Sequence, residues 1–522
     1  MTRLKMMLAG MLALAVAAPI LVAPALAQPQ GTVRVRLNAD IRSIDPGVNR
    51  DANTDGVVLH MVEGLVAFTD ASDVAPLLAD SVAVDEAGTQ YTFTLRQGVR
   101  FHNGATLTSA EVLWSWKRYL DPATQWRCLP DFDGRGIAKI TDIAAPNAST
   151  VVFTLEKPTA LFLATMARAD CGMSAILHPD SLGADGKLAT PIGTGPFRLG
   201  EWRRGQFIEL NRFEEYTARS EPRTGYTGNK TPEVARARFV IIPDSAAAKA
   251  ALLSGAIDVL TDVSNSDVAE LRRRADIRVD SVPAMGLNGF LIQTRDPIMQ
   301  DVRMRRALAL SLDLPEIVRA VSEGLSQPNP SAIPLPSAFH SAVQKEGYQR
   351  NLAEARRLLR EAGYNGQRLK MITNRRYTSV FDASVLAQAM AAEAGINIDL
   401  EVLDWATQLD RYVKGDYQLM SFTYSARLDP SLSFEMLTGP KDRQPRKVYD
   451  EAAVHPLLAQ SMTTTDRAAR QELFDRMHRM MIAHVPLIVL LNGTEVSAVR
   501  ANVDGYANWA AGQPRLWGVR LR

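Results

Sequence analysis

Residue types suited to covalent or metal chemistry are sparse: two cysteines, Cys128 and Cys171, and seven scattered histidines among 522 residues. Neither cysteine has a Cys or His partner at ligand spacing. His478 and His484 stand six apart, off the i, i+4 geometry that puts two imidazoles on one helical face. No metal or cofactor site is therefore expected. The His-Glu-x-x-His, Gly-x-Ser-x-Gly and catalytic-cysteine signatures are all missing, so a secreted hydrolase has no recognisable nucleophile or zinc. Gly193-Thr-Gly195-Pro196 lacks the third glycine or the Gly-Lys-Ser/Thr ending of a phosphate-binding loop, and reads as a tight turn beside a strand. Phe101-His102, in the turn between Gly98 and Gly104, reads as packing rather than as a binding pair. What the cysteines can do is pair with each other. In an oxidising compartment Cys128 and Cys171 form one disulfide, and closing that loop contributes about 4 kcal/mol on the chain-entropy picture.

The elements around these residues alternate between strand and helix. Tyr91, Phe93 and Leu95 alternate with Thr92, Thr94 and Arg96 as a half-buried strand. Thr108 and Glu111 make a capping box ahead of an apolar run through Val112 and Trp116. Asn351 and Glu354 repeat that signature before the helical face of Leu352, Ala355, Leu358, Leu359 and Ala362, which Gly363 stops. Ile396, Ile398, Leu400 and Val402 alternate as a strand. Ala469, Leu473, Met477 and Met480 follow helical spacing, and Leu487 to Leu491 reads as a buried strand ending at Asn492-Gly493. Mixed segments at this spacing mean α/β domains, and the length calls for two or more.

The first 27 residues have the layout of a secretory signal. Arg3 and Lys5 precede the apolar Met6 to Leu26, and Ala25-Leu26-Ala27 supplies a small-x-small cleavage site. A soluble protein outside the cytoplasm, cleaved after Ala27, is expected. Losing Arg3 and Lys5 takes 59 basic residues to 57, equal to the 57 acidic ones. A formally neutral chain without a long basic run is a poor partner for nucleic acid or an anionic membrane surface.

Several segments, in order, resemble the family 5 extracellular solute-binding proteins, the peptide- and nickel-type receptors of ABC importers. The strongest runs from Tyr91-Thr-Phe-Thr-Leu-Arg-Gln-Gly-Val-Arg-Phe-His-Asn-Gly104 through Leu107-Thr-Ser-Ala-Glu-Val112 to Ser115-Trp-Lys-Arg118. Ser43-Ile-Asp-Pro46, Glu63-Gly-Leu65 and Ala75-Pro-Leu-Leu-Ala79 precede it. Pro191-Ile-Gly-Thr-Gly-Pro-Phe197, Leu210-Asn-Arg212, Tyr216, Val302-Arg-Met-Arg-Arg-Ala-Leu308 and Ala355-Arg-Arg-Leu-Leu359 come after it. The resemblance spans about 32 to 492 and implies a two-lobed periplasmic-binding-protein fold with an extra subdomain inserted in lobe I. Lobe I would be 28–65, 185–287 and 490–522; the subdomain 66–184, holding both cysteines; lobe II 288–489. The chain would cross near Met285-Gly286 and Asn492-Gly493. Such a protein captures a small-molecule or peptide ligand between its lobes as a monomer and delivers it to the permease subunits of the transporter.

The resemblance also points to ligand contacts. In peptide-binding relatives a carboxylate ahead of an acidic-Pro pair holds the peptide amine, but Phe422-Thr-Tyr-Ser-Ala-Arg-Leu-Asp-Pro430 puts Ala426 there, beside Arg427. Alanine cannot pair an ammonium and a guanidinium repels one, so an anionic group facing Arg427 is expected. The alternative is that Arg427 bonds Asp429 or solvent. Trp405 and Tyr424 are candidate walls of an apolar cleft, or else lobe II core. Arg375-Arg376 offers a second anion contact, or a solvated pair. Asp45, ahead of Pro46, reads as a turn-former. A peptide or amino-acid-derived nutrient is favoured over an opine, oligosaccharide or metal chelate. A chaperone or sensor accessory on the same fold is the other alternative.

Overall fold

A computed structural model describes residues 31–375 and 377–522. The apolar N-terminal stretch with its Ala27 site, and Arg376, lie outside the described residues. Among the described residues no helix is long and apolar enough to cross a membrane.

Two α/β lobes form around two separate sheets. In the first, Thr32–Leu37 sits at the middle of seven strands, paired in parallel with Arg236–Ile241 and with Val259–Leu260. Phe207–Arg212 and Phe197–Arg203 extend one side antiparallel; Thr494–Arg500 and Ile277–Pro283 extend the other. The second sheet has five strands in the order Asn397–Val402, Arg368–Thr373, Leu419–Tyr424, Leu287–Ile292, Leu487–Leu491. Strand side chains alternate, so this sheet feeds two cores. Phe290, Ile292, Leu369 and Met371 face the helices Val302–Ser311 and Thr378–Ala394. Leu287, Leu291, Met420 and Phe422 face Pro430–Leu437 and Arg467–His484. The chain passes between the sheets twice, over 284–286 and over 492–493.

The inserted subdomain is a four-stranded antiparallel sheet, Ala79–Val84, Gln90–Leu95, Thr150–Leu155 and Ile140–Asn147. Tyr91, Phe93 and Leu95 point inward, as their alternation predicts. The Thr108–Glu111 capping box starts the helix Ser109–Leu120, whose Trp116 meets Phe153, Trp126 and Phe132 edge-on. Asn351 caps Leu352–Glu361 through the backbone N–H of Glu354. Cys128 and Cys171 are joined by a disulfide, and both are fully buried.

Segments far apart in sequence are fastened by one buried ion pair. The Lys230 ammonium donates to Glu63 Oε1 at 3.0 Å, with Lys230 0% and Glu63 1% exposed. Tyr216 OH donates to the same oxygen at 2.9 Å and Thr194 Oγ1 to the other at 3.0 Å. Lys230 also lies over the Trp517 ring, 4.8 Å from its centroid. Burial pulls the Lys230 pKa down, against the pull of Glu63 upward. His102 fixes the adjoining turn by donating its backbone N–H to Gly193 O at 2.9 Å and placing its ring Nε2 3.0 Å from Gly195 O. A Cβ on Gly193 would come 2.3 Å from Met61 O, and one on Gly195 2.5 Å from the Met61 carbonyl carbon, so only glycine fits there. Asp45 does more than turn the chain: its carboxylate pairs with Arg118 of the capped helix.

Removing one member of such a pair strands the other charge in the core. Glu63→Gln is expected to cost about 3–5 kcal/mol, read as a lower urea midpoint at unchanged m-value.

Candidate functional site: a charged cleft between the lobes

A cavity of about 1070 Å³ lies between the two lobes. Its floor is the pair of crossings: Ala284 and Gly286 from one, Gly493 and Thr494 from the other. These strands are tied together. Ala284 N–H donates to Gly493 O at 2.9 Å and Asn492 Nδ2 to Gly286 O at 2.7 Å. Asn492 Oδ1 in turn accepts from Asn329 Nδ2 and from the Leu335 backbone. The lobes also meet directly. Ala160 N–H donates to Met462 O at 2.7 Å, and Arg467 pairs with Asp73 at 2.9 Å. The cleft thus lies among hinge strands and residues that flank an inter-lobe contact, Thr159, Leu161 and Met462.

Most charges on its wall are already neutralised. Asp55 pairs with Arg50, Asp131 and Asp170 with Arg168, Asp429 with Arg470, and Glu435 with Lys447. Arg127 reaches Asp170 at 3.1 Å. Burial pushes the Asp170 carboxyl up, but bonds and charge from Arg168 and Arg127 outweigh it and hold the group at about 2. At Asp55 burial wins over Arg50 and the pKa stands at about 6.

Two wall charges are different. Arg427 meets no carboxylate among the described residues. Its Nη1 donates only to Ser425 Oγ at 2.9 Å and to the carbonyl oxygens of Ala426 and Ser425. Asp429, the internal partner open to it, is taken by Arg470 at 2.8 Å. Desolvation lowers the Arg427 pKa and the Arg168 charge pushes the same way, so an anion there would be welcome. The second charge is Glu495, on the strand that leaves the hinge. Its side chain has no hydrogen bond or ion pair among the described residues, and burial, with Asp262 adding to it, raises its pKa to about 7.

The other expected contacts stand elsewhere. Tyr424 does not line the cavity; it is 7% exposed and packs on Phe422, 4.9 Å between ring centroids. Its position two residues after Phe422 puts it on the core face, whereas Thr423 between them reaches the cleft. Trp405 is also off the cavity wall, 5.5 Å from Phe422 and edge-on to Tyr377 at 5.1 Å. Arg375 lies over the Phe381 ring at 4.2 Å, away from the cavity. Of the four, only Arg427 lines the cleft. The residues that sequence reasoning passes over, Arg50, Asp55, Arg127, Arg168, Asp170 and Glu495, give no periodic signal, because they come singly from separate short stretches: Asp55 from the helix Ala52–Val58, Asp170 from a single helical turn, Glu495 from the strand after the hinge, and the three arginines from the connections between elements.

Two α/β lobes around a hinged, ligand-sized cleft define a binding protein that closes on a solute. The chain belongs to the bacterial extracellular solute-binding proteins, family 5, whose middle region it matches over residues 73–444. It is 25% identical over 485 residues to the dipeptide-binding protein of Escherichia coli (strain K12), covering 88% of each chain. Among solved structures it resembles the periplasmic binding protein DppA of Helicobacter pylori in complex with the peptide STSA (23% identity, TM-score 0.73, 95% and 98% of the two chains covered). It also resembles AgaA of A. tumefaciens R10 in complex with agropinic acid (24% identity, TM-score 0.70, 94% and 99% covered).

The Glu495 carboxyl has a sign-defined effect on stability. Its folded pKa lies above the ordinary carboxyl value, so its contribution is full below about pH 4.3 and is lost as pH rises to about 7. Glu495→Gln is therefore expected to match the parent protein at pH 4 and to be more stable at pH 8, by at most ~4 kcal/mol. Melting curves of the ligand-free proteins at the two pH values check this.

Proposed function

We propose that the chain is the exported, solute-binding receptor of an ABC importer, and that it captures an anion-bearing peptide or amino-acid-derived nutrient and hands it to membrane permease subunits. Family membership supports the receptor role. The single observation that carries the ligand class is Arg427: a guanidinium on the cleft wall with no carboxylate among the described residues to neutralise it. We assign lobe I to 28–65, 185–287 and 490–522, the subdomain to 66–184 and lobe II to 288–489. The two large sheets support that division but put its edges slightly elsewhere: Leu287, Leu490 and Leu491 pair in the second sheet, with the crossings at 284–286 and 492–493. The N-terminal signal-like stretch supports periplasmic export with cleavage after Ala27. A relative named as a dipeptide-binding protein supports the peptide-like class. Binding without turnover is the expected behaviour, with the ligand released intact.

Closing follows from linkage. A solute touching both lobes favours the closed arrangement by the free energy of the contacts it makes only there. A bond from Arg427 to a ligand anion is a charge-assisted one, contributing about 1.5–3 kcal/mol.

Native mass spectrometry of the gently purified protein tests the reading. A discrete mass excess is expected, lost on denaturation, belonging to a compound with a carboxylate or phosphate. Arg427→Ala should weaken its binding by roughly 10- to 100-fold. A ligand without an anionic group, or unchanged affinity in Arg427→Ala, would refute the anion assignment; recovery of a chemically altered compound would refute the receptor role.

A further inference from the structure

Among the described residues the cleft presents one cation without an ion-pair partner, Arg427, and one carboxyl group, Glu495, with neither an ion pair nor a side-chain hydrogen bond; the two do not pair with each other. We propose that Glu495, at the hinge end of the cleft, is the site that holds a ligand ammonium. This deepens the receptor reading and rests on it: the solute is a zwitterion, its anion at Arg427 and its amine at the hinge.

The case is built on geometry. Every other carboxylate on the cavity wall is satisfied within the protein, either by a cationic side chain or, for Asp51, by capping the helix Ala52–Val58. Glu495 has no such partner among the described residues. It starts from the second hinge crossing and packs against Gly512, where an added Cβ would come 3.2 Å from Oε1. Three further wall residues carry buried polar atoms that find no partner: Gln513 Oε1, Trp509 Nε1 and Tyr226 OH. Tyr226 is 1% and Trp509 4% exposed, and their rings meet edge-on at 4.9 Å. An unpaired buried polar group costs about 1–3 kcal/mol, so a set of them on one cavity wall is the mark of a site that a ligand completes. Glu495 and Gln513 Oε1 are acceptors, which suits the three N–H bonds of an ammonium. The Trp509 and Tyr226 donors, beside the aromatic faces, suit an adjoining carbonyl or carboxylate oxygen and the short carbon frame that carries it.

The placement has a functional logic. Glu495 lies next to Gly493 and Thr494, the segment that must move when the lobes rotate. A bound ammonium there neutralises a charge that burial disfavours, and it does so where the crossing strands meet. The solute would then draw on both lobes and on the hinge, so closure would report the amine as well as the anion.

Isothermal titration at pH 8 with matched probes decides the matter: Ala-Glu, Gly-Asp and glutathione, each beside its N-acetyl counterpart. The expected result is at least one free-amine probe binding tenfold or more tighter than its acetylated partner. Glu495→Gln should erase that preference while leaving the acetylated affinity within twofold, and Arg427→Ala should weaken both members of the pair. Melting curves serve as the control, since Glu495→Gln is expected to fold at least as stably as the parent. Equal affinity for free and acetylated probes, or a preference that survives in Glu495→Gln, would overturn the ammonium site and leave the receptor standing. Binding by none of the probes would overturn both assignments.

Discussion

The buried pair of Lys230 and Glu63 is the constraint on which the first lobe depends. Two opposite charges without solvent persist only if every remaining lone pair and proton is satisfied. Here Tyr216 and Thr194 complete the carboxylate, and the Trp517 ring covers the ammonium. Those five residues come from five separate stretches of chain, between position 63 and position 517. Fixing them together fixes the turn at Gly193-Thr-Gly195, which His102 of the subdomain then grips. The lobe and its insertion are thereby tied to each other.

The cleft walls carry neutralised pairs, such as Arg50 with Asp55 and Arg168 with Asp131, which hold their side chains in place without asking anything of a ligand. Only the groups left without partners can discriminate among solutes. A site made this way recognises charge at a few points and tolerates variation between them, which suits a family whose members take different solutes on one fold.

How much of this can be read from the amino acids differs by level. Strands such as Tyr91 to Leu95 and helices such as Ser109–Leu120 are legible because their periods and caps are local. The ordered blocks of the family resemblance imply the fold, and the structure supplies the reason for several of them: Glu63, Thr194 and Tyr216 meet at one ion pair, while Asp45 and Arg118 form another. The cleft is less legible. Arg427 stands out because its neighbour occupies a place where a carboxylate is expected. Alternation groups Phe422 with Tyr424 and Thr423 with Ser425, but which face is core is settled only by the structure, where the first pair packs inside and the second lines the cavity. Glu495 offers no such clue. Its strand looks like any other, and only the crossing of the chain at Asn492-Gly493 brings it to the wall that Trp509 and Gln513 share.

The disulfide has a bearing on the cleft that its position makes plain. Arg127 precedes Cys128, and Asp170 precedes Cys171, so the bond stands directly behind one wall of charges. Arg168 completes the cluster through Asp131 and Asp170. The electrostatic pattern that a solute meets on that side is therefore an oxidised pattern. A chain with reduced thiols would keep the same residues but lose the covalent frame that holds opposite charges in register.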